Sequence, residues 1–261
     1  MHYLKLRRSR VILACFAVSS LLFMVFPGID LAVSGFFFQD SFHLSREWWT
    51  QFMHESMGYF LGLCMAAVVA LYVCNKLLKQ NLCGVDGKRV VYLFLVLMVG
   101  AGAIVNVMLK DNVGRARPRD IAEFGGSKLY TPPFVASNEC DKNCSFSSGE
   151  AAGGFFTLAL ALALSRRRVA FVSAVAFGAF VSFCRVASGA HFFSDTVVSF
   201  FVKLIVADVL HYYLVSEQVP SSSVGSGLRQ VVAQRVVVST EATQVAVLTE
   251  RVEPDAARLF R

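Results

Sequence analysis

Residues 184–195 read Cys-Arg-Val-Ala-Ser-Gly-Ala-His-Phe-Phe-Ser-Asp. They sit between two long apolar runs, Val169 to about Val186 and about Phe192 to Val215. Arg185, His191 and Asp195 are therefore confined to a tight turn between two membrane-length segments of about 20 residues each. Working outward, the same pattern recurs. Apolar runs cover Val11–Phe26, Met57–Leu77, Val90–Leu109 and Ser148–Ser165. The last of these is short for a span unless it starts near Ser147. The chain has 261 residues, 56% hydrophobic and only 16% charged, against about 25% charged in soluble domains. The reading is an all-α bundle of six transmembrane helices.

Charge sets the topology. Lys5, Arg7, Arg8 and Arg10, then Lys76, Lys79, Lys88 and Arg89, then Arg166–Arg168 all fall on one side of a six-span chain. The positive-inside bias puts that side in the cytoplasm. The net charge of +7 is explained by these loops and termini, and no basic, aromatic-interleaved stripe points to nucleic acid. A cleaved signal peptide is disfavoured because no small-x-small site closes the first run before Pro27. Residues 29–56, with Phe36–Phe38 and Trp48-Trp49 among charges, read as an amphipathic segment at headgroup level. The division is 1–56 for the first helix and this segment, 57–215 for a five-helix core, and 216–261 for a Ser/Gly-linked cytoplasmic tail of unassigned role.

The outward loop, 110–147, carries Lys110, Arg115, Arg117, Arg119, Lys128 and Lys142 against the charge bias. Lys110 and Arg117 are the candidates kept for chemistry; the rest read as solvated charges. Cys140 and Cys144 share this loop, where a disulfide can persist. No further His or Cys completes a metal site beside them. Asp111, Asp120, Glu123, Glu139 and Asp141 show no recognisable ligand spacing, so no metal or other cofactor is implied. Ser147-Ser148-Gly149-Glu150 opens the fourth apolar run. It reads as a helix N-cap, and the same turn can present N–H groups and the helix dipole to an anion.

Three cations, a helix N-terminus and a histidine with a carboxylate four residues on are the parts needed to handle a phosphoryl group. His191 can simply bond locally at a helix start. Alternatively, with Asp195 on one ring nitrogen, the other nitrogen can attack phosphorus. Arg185 can snorkel to the interface or, at its fixed distance from His191, grip phosphate.

Lys-x6-Arg-Pro at Lys110–Pro118, Ser-Gly-Glu at Ser148–Glu150 and Cys-Arg-x5-His-x3-Asp at Cys184–Asp195 together resemble the three-part signature of the type 2 phosphatidic acid phosphatase superfamily. The resemblance covers about residues 55–215. It implies a metal-independent phosphatase in which His191 forms a phosphohistidine, Asp195 orients it, and Lys110, Arg117, Ser148, Gly149 and Arg185 bind phosphate. Two positions depart from the pattern: Glu150 replaces the histidine that protonates the leaving oxygen, and Cys184 replaces a serine. Glu150 can serve as that acid only if burial keeps it protonated. Otherwise it is a first-turn acid favourable to the helix dipole, in a weak or inactive enzyme.

The run Gly114–Arg119 and the stretch Asn143–Phe146 resemble bacterial lipid A 4′-phosphatases, more weakly. The expected partner is a phosphorylated lipid among membrane lipids, and the site is expected to face the periplasm from the inner membrane. Undecaprenyl pyrophosphate and phosphatidylglycerol phosphate are the alternative substrates, and a non-catalytic lipid-phosphate-binding protein is the alternative class. Oligomeric state is not legible.

Overall fold

The computed structural model describes residues 6–216, apart from 111 and 166 and the side chains of 101, 106 and 107. The tail read from the sequence lies outside the described residues beyond Ser216. The described residues form helices α1 (Arg7–Val25), α2 (Gly28–Phe36), α3 (Trp48–Leu78), α4 (Gly87–Lys110), α5 (Gly149–Leu164), α6 (Arg168–Ala187) and α7 (Phe193–Val215). Five of them, α1, α3, α4, α6 and α7, are long and apolar enough to cross a membrane, and α5 is a shorter apolar helix. The chain is a helical membrane protein, as its composition requires. Val18, Leu21, Tyr59, Leu63, Leu77 and Val172 stay exposed on the helix faces, as a lipid-facing surface should.

Two boundaries differ from the sequence reading. The second span begins at Trp48, not Met57. Trp49, Phe52 and Met53 extend the apolar stripe at helical spacing, so His54 and Glu55 ride on the helix instead of ending it. Residues 29–56 are thus not one interfacial segment. They comprise α2, a single 3-10 turn at His43–Arg46 and the first turns of α3.

The short helix α5 is the centre of the bundle. Its Phe156 and Ala159 join Val68 of α3, Tyr92, Leu93 and Val96 of α4, and Ala207 of α7 in one buried cluster. Small residues let α5 and α6 approach closely, since apolar side chains gain little by leaving lipid for protein. A Cβ on Gly178 would lie 2.1 Å from the Phe155 ring, and one on Gly154 would lie 3.0 Å from Val181. Lys203 of α7 is fully buried and donates to the Val96 carbonyl at 3.1 Å, where α4 loosens from α to π hydrogen bonding. The widened turn leaves a carbonyl free for the ammonium.

Local chemistry sets the helix ends. Asp86 caps α4 by accepting from Arg89 N at 2.9 Å. Ser148 caps α5 by accepting from Ala151 N at 3.3 Å. The 110–147 loop carries only the 3-10 turns Pro118–Asp120 and Ala122–Phe124. Up-down connectivity gathers the Lys110, Gly149, Ala187 and Phe193 ends at one end of the bundle, where this loop and α2 also lie.

Gly178→Val should force Phe155 out of place and cost about 1–3 kcal/mol of stability, the usual range for overpacking. A thermal melt in detergent checks this, with a lowered midpoint expected.

Candidate active site

The turn after α6 is fixed by its own backbone. Ala190 N and His191 N both donate to the Arg185 carbonyl, at 3.1 and 3.3 Å. Gly189 takes φ +65°, and a Cβ there would strike the Phe42 ring at 2.5 Å, so glycine is required. Arg119 N donates to the Gly189 carbonyl at 3.1 Å, which latches the 110–147 loop to the turn.

His191 is 1% exposed. Its Nδ1 lies 2.7 Å from the Ser145 carbonyl and 3.7 Å from Asp195 Oδ2. A carbonyl only accepts, so Nδ1 carries the proton and Nε2 keeps the lone pair. The direct His191–Asp195 hydrogen bond expected from the i, i+4 spacing is replaced by a link through Ser145. Ser145 Oγ donates to Asp195 Oδ2 at 2.5 Å while its carbonyl takes the imidazole proton. The reason is that the same Oδ2 also accepts from Phe192 N at 2.9 Å, capping the start of α7. Burial pushes the His191 pKa below its usual 6.5, against the pull of Asp195 and with the charges of Arg185 and Arg117 adding to the shift. Burial and the acceptor at Nδ1 thereby both favour the neutral ring.

Asp195 is held in turn by a residue the sequence reading left as a solvated loop charge. Arg115 is fully buried. Its guanidinium donates to Asp195 Oδ1 at 2.5 Å, Asp30 Oδ2 at 2.8 Å and the Thr131 carbonyl at 2.8 Å. The Phe192 ring lies over it at 4.1 Å. Burial alone would lower the Arg115 pKa, but Asp195 and Asp30 together raise it. Asp30, from α2, also accepts from Ser194 N at 2.9 Å and Ser194 Oγ at 2.5 Å. Burial raises the Asp30 pKa above 3.8, opposed by Arg115 and helped by Asp195. Asp30 and Arg115 were both missed in the sequence. An acid in an apolar stretch was the available signal, because such charges are costly unless paired.

Arg185 and Arg117 reach the same place as His191. Arg185 Nε lies 2.8 Å from Glu150 Oε2, a charge contact without directed hydrogen-bond geometry. Arg117 donates to the Asn143 carbonyl at 2.8 Å. Burial lowers the Arg117 pKa, and the like charges of Arg119 and Arg185 lower it further. Ser147 Oγ is buried without a partner among the described residues. Mutually repelling cations and an unsatisfied buried hydroxyl, beside the amides of Gly149 and Glu150 at the start of α5, describe a receptor for an oxyanion. Lys110 ends α4 at the same end of the bundle, half-buried. Glu150 is partly exposed and stands against Arg185 and His54. The structure joins Cys140 to Cys144 in a disulfide with a Cα separation of 5.6 Å.

The sequence model of the PAP2 superfamily matches residues 91–218. A lipid A 4′-phosphatase of Francisella tularensis subsp. novicida is 34% identical over 67% of this chain and 81% of its own length. Lipid A 4′-phosphatases of Rhizobium etli and Rhizobium leguminosarum are each 30% identical over 75% of this chain, and over 83% and 91% of their own lengths. A crystal structure of a transmembrane PAP2-type phosphatidylglycerolphosphate phosphatase from Bacillus subtilis superposes with a TM-score of 0.55 at 16% identity. It covers 82% of this chain and all of that one, and it shares the fold. The chain belongs to the PAP2 superfamily.

Two outcomes follow from this geometry. Arg115→Met leaves Asp30 and Asp195 buried without their cation and should cost about 3–5 kcal/mol in a denaturation measurement. A loss in the ~0–1 kcal/mol range of a surface pair would contradict the buried network. The lowered pKa of His191 keeps its neutral form present as pH falls through 6.5. An NMR titration of the His191 imidazole should therefore find it more than half neutral at pH 6.5, where an ordinary imidazole is half protonated.

Proposed function

We propose that this chain is a lipid A 4′-phosphatase of the bacterial inner membrane, with its site on the periplasmic face. The observation that carries the reading is His191. It is buried, neutral and fixed with its Nε2 lone pair free, between two arginines and a helix N-terminus at one end of a transmembrane bundle. The loops at the opposite end hold the Lys and Arg clusters that mark the cytoplasmic side. The curated relatives at 30–34% identity are lipid A 4′-phosphatases. An apolar groove of about 380 Å³ opens beside the Arg185–His191 turn, lined by Val33, Phe37, Phe155, Phe183, Val186 and Phe193. A groove of that lining suits an acyl chain of the same lipid. The likeness to a phosphatidylglycerolphosphate phosphatase is one of fold at 16% identity and does not move the choice of substrate.

The chemistry follows from the geometry. Arg117, Arg185 and the first amides of α5 take the phosphoryl oxygens, with Lys110 as a third cation. His191 Nε2 attacks phosphorus in line with the ester oxygen. The P–N bond forms as the P–O bond breaks, and positive charge develops on the ring. The Ser145 carbonyl receives the Nδ1–H bond of that imidazolium, and Asp195 supports Ser145 through its hydroxyl. Water then attacks phosphorus, the P–N bond breaks, and phosphate leaves. Phosphoryl transfer of this kind depends on positioning and charge neutralisation, which the protein's own cations supply.

Purified protein in detergent should release phosphate from lipid A faster than from undecaprenyl pyrophosphate, phosphatidylglycerol phosphate or phosphatidic acid. Excess chelator should leave that rate intact. Faster release from one of the other lipids would overturn the substrate reading. A tenfold loss restored by a divalent ion would overturn the metal-independent mechanism.

A further inference from the structure

The reaction needs a proton at the leaving oxygen, and the groups described so far do not provide it. Arg117 and Arg185 do not give up protons in the working pH range. His191 is the attacking base, and its single proton is held by Ser145. Glu150 occupies the expected position. Its Oε2 stands 2.8 Å from Arg185 Nε, and its Oε1 stands 3.0 Å from Nδ1 of His54. An ionised carboxylate only accepts, so Glu150 in this arrangement takes the Nδ1–H of His54 and stands as counter-charge to Arg185.

His54 comes from the opening turns of α3, the part of the helix that extends beyond the expected span. Its Nδ1 donates to Glu150, which leaves Nε2 as the second ring nitrogen, without a protein partner among the described residues. The side chain is 58% exposed, within reach of a substrate entering from the membrane surface. Imidazole is the side chain whose charge changes between about pH 5 and 8, as an acid that must also act as a base requires.

We propose that His54, aimed by Glu150, is the general acid and base of this site. The inference rests on His191 being the nucleophile. In the first step the His191 Nε2 lone pair forms the P–N bond. The electrons of the breaking P–O bond go to the leaving oxygen, which takes the Nε2 proton of the His54 imidazolium. In the second step the neutral His54 takes a proton from water as that water's oxygen bonds to phosphorus. The electrons of the P–N bond return to His191, and His54 is again the acid. Glu150 remains a carboxylate throughout. It ties the acid to Arg185, so that binding of phosphate and placement of the proton donor are coupled.

The test uses the full chain and two synthetic substrates with the same lipid tail, one an alkyl phosphate and one a nitrophenyl phosphate. A nitrophenolate leaves without protonation, and an alkoxide does not. His54→Gln should slow phosphoenzyme formation from the alkyl ester by about 100-fold or more, while phosphoryl labelling of His191 by the nitrophenyl ester stays within about threefold and the label is then hydrolysed slowly for want of the base. Retention of that labelling also shows that the variant is folded. Equal slowing of phosphoenzyme formation from both esters, or no slowing of it with the alkyl ester, would overturn the role of His54 while leaving His191 as nucleophile. A wild-type enzyme that takes no phosphoryl label at His191 would overturn the nucleophile and this proposal together.

Discussion

One buried cation organises the outer end of this molecule. Arg115 bridges Asp30 of α2 and Asp195 of α7, all three fully buried. Such a cluster is costly to desolvate and is tolerated only when each charge is matched. Here the matching is dense. Asp30 accepts from Ser194, Asp195 accepts from Ser145 and Phe192 N, and Arg115 donates also to the Thr131 carbonyl. The cluster therefore ties together three parts of the chain: α2, both ends of the 110–147 loop, and the start of α7. The imidazole of His191 is fixed as a consequence, because it hydrogen-bonds to the carbonyl of Ser145, whose hydroxyl belongs to the same network.

Above that rigid floor the site is unsatisfied. Arg117 and Arg185 repel one another, and among the described residues Arg185 Nε lacks a directed acceptor and the buried Ser147 hydroxyl lacks a partner. Proteins rarely leave buried polar groups so. An oxyanion seated there would answer all of them at once. The floor and the receptor thus differ: one set of charges is densely hydrogen-bonded and holds geometry, while in the other Arg185 meets Glu150 without a directed hydrogen bond. Electrostatic preorganisation of this kind costs no reorganisation during reaction.

Much of this was legible in the sequence, and the reasons for the exceptions are physical. Apolar run lengths and loop charges gave the helices, because membrane thickness and charge bias act locally along the chain. His191, Arg185 and Ser148–Glu150 were legible because each lies at a fixed offset from the end of such a run. Arg115 was not, because nothing in Gly-Arg-Ala-Arg-Pro-Arg separates the buried arginine from its neighbours. Its partner Asp30 is 85 positions away. His54 escaped notice for the same reason, being 96 positions from Glu150. The His191–Asp195 spacing brings the two groups to 3.7 Å, and the Ser145 link was not legible because a helix start turns the third residue's carboxylate back to its own N-cap amide.

The mechanism stands or falls on which nitrogen of His191 attacks phosphorus. Nδ1 is committed to the Ser145 carbonyl at 2.7 Å, so the proposed intermediate would form at Nε2. The direct measurement is to trap the phosphoenzyme by alkaline denaturation shortly after mixing with substrate and to determine the phosphohistidine isomer by 31P NMR. Phosphorus on Nε2 of His191 is the expected result. Phosphorus on Nδ1, or on any residue other than His191, would contradict the arrangement of Arg115, Asp195, Ser145 and His191 as the working core of the site.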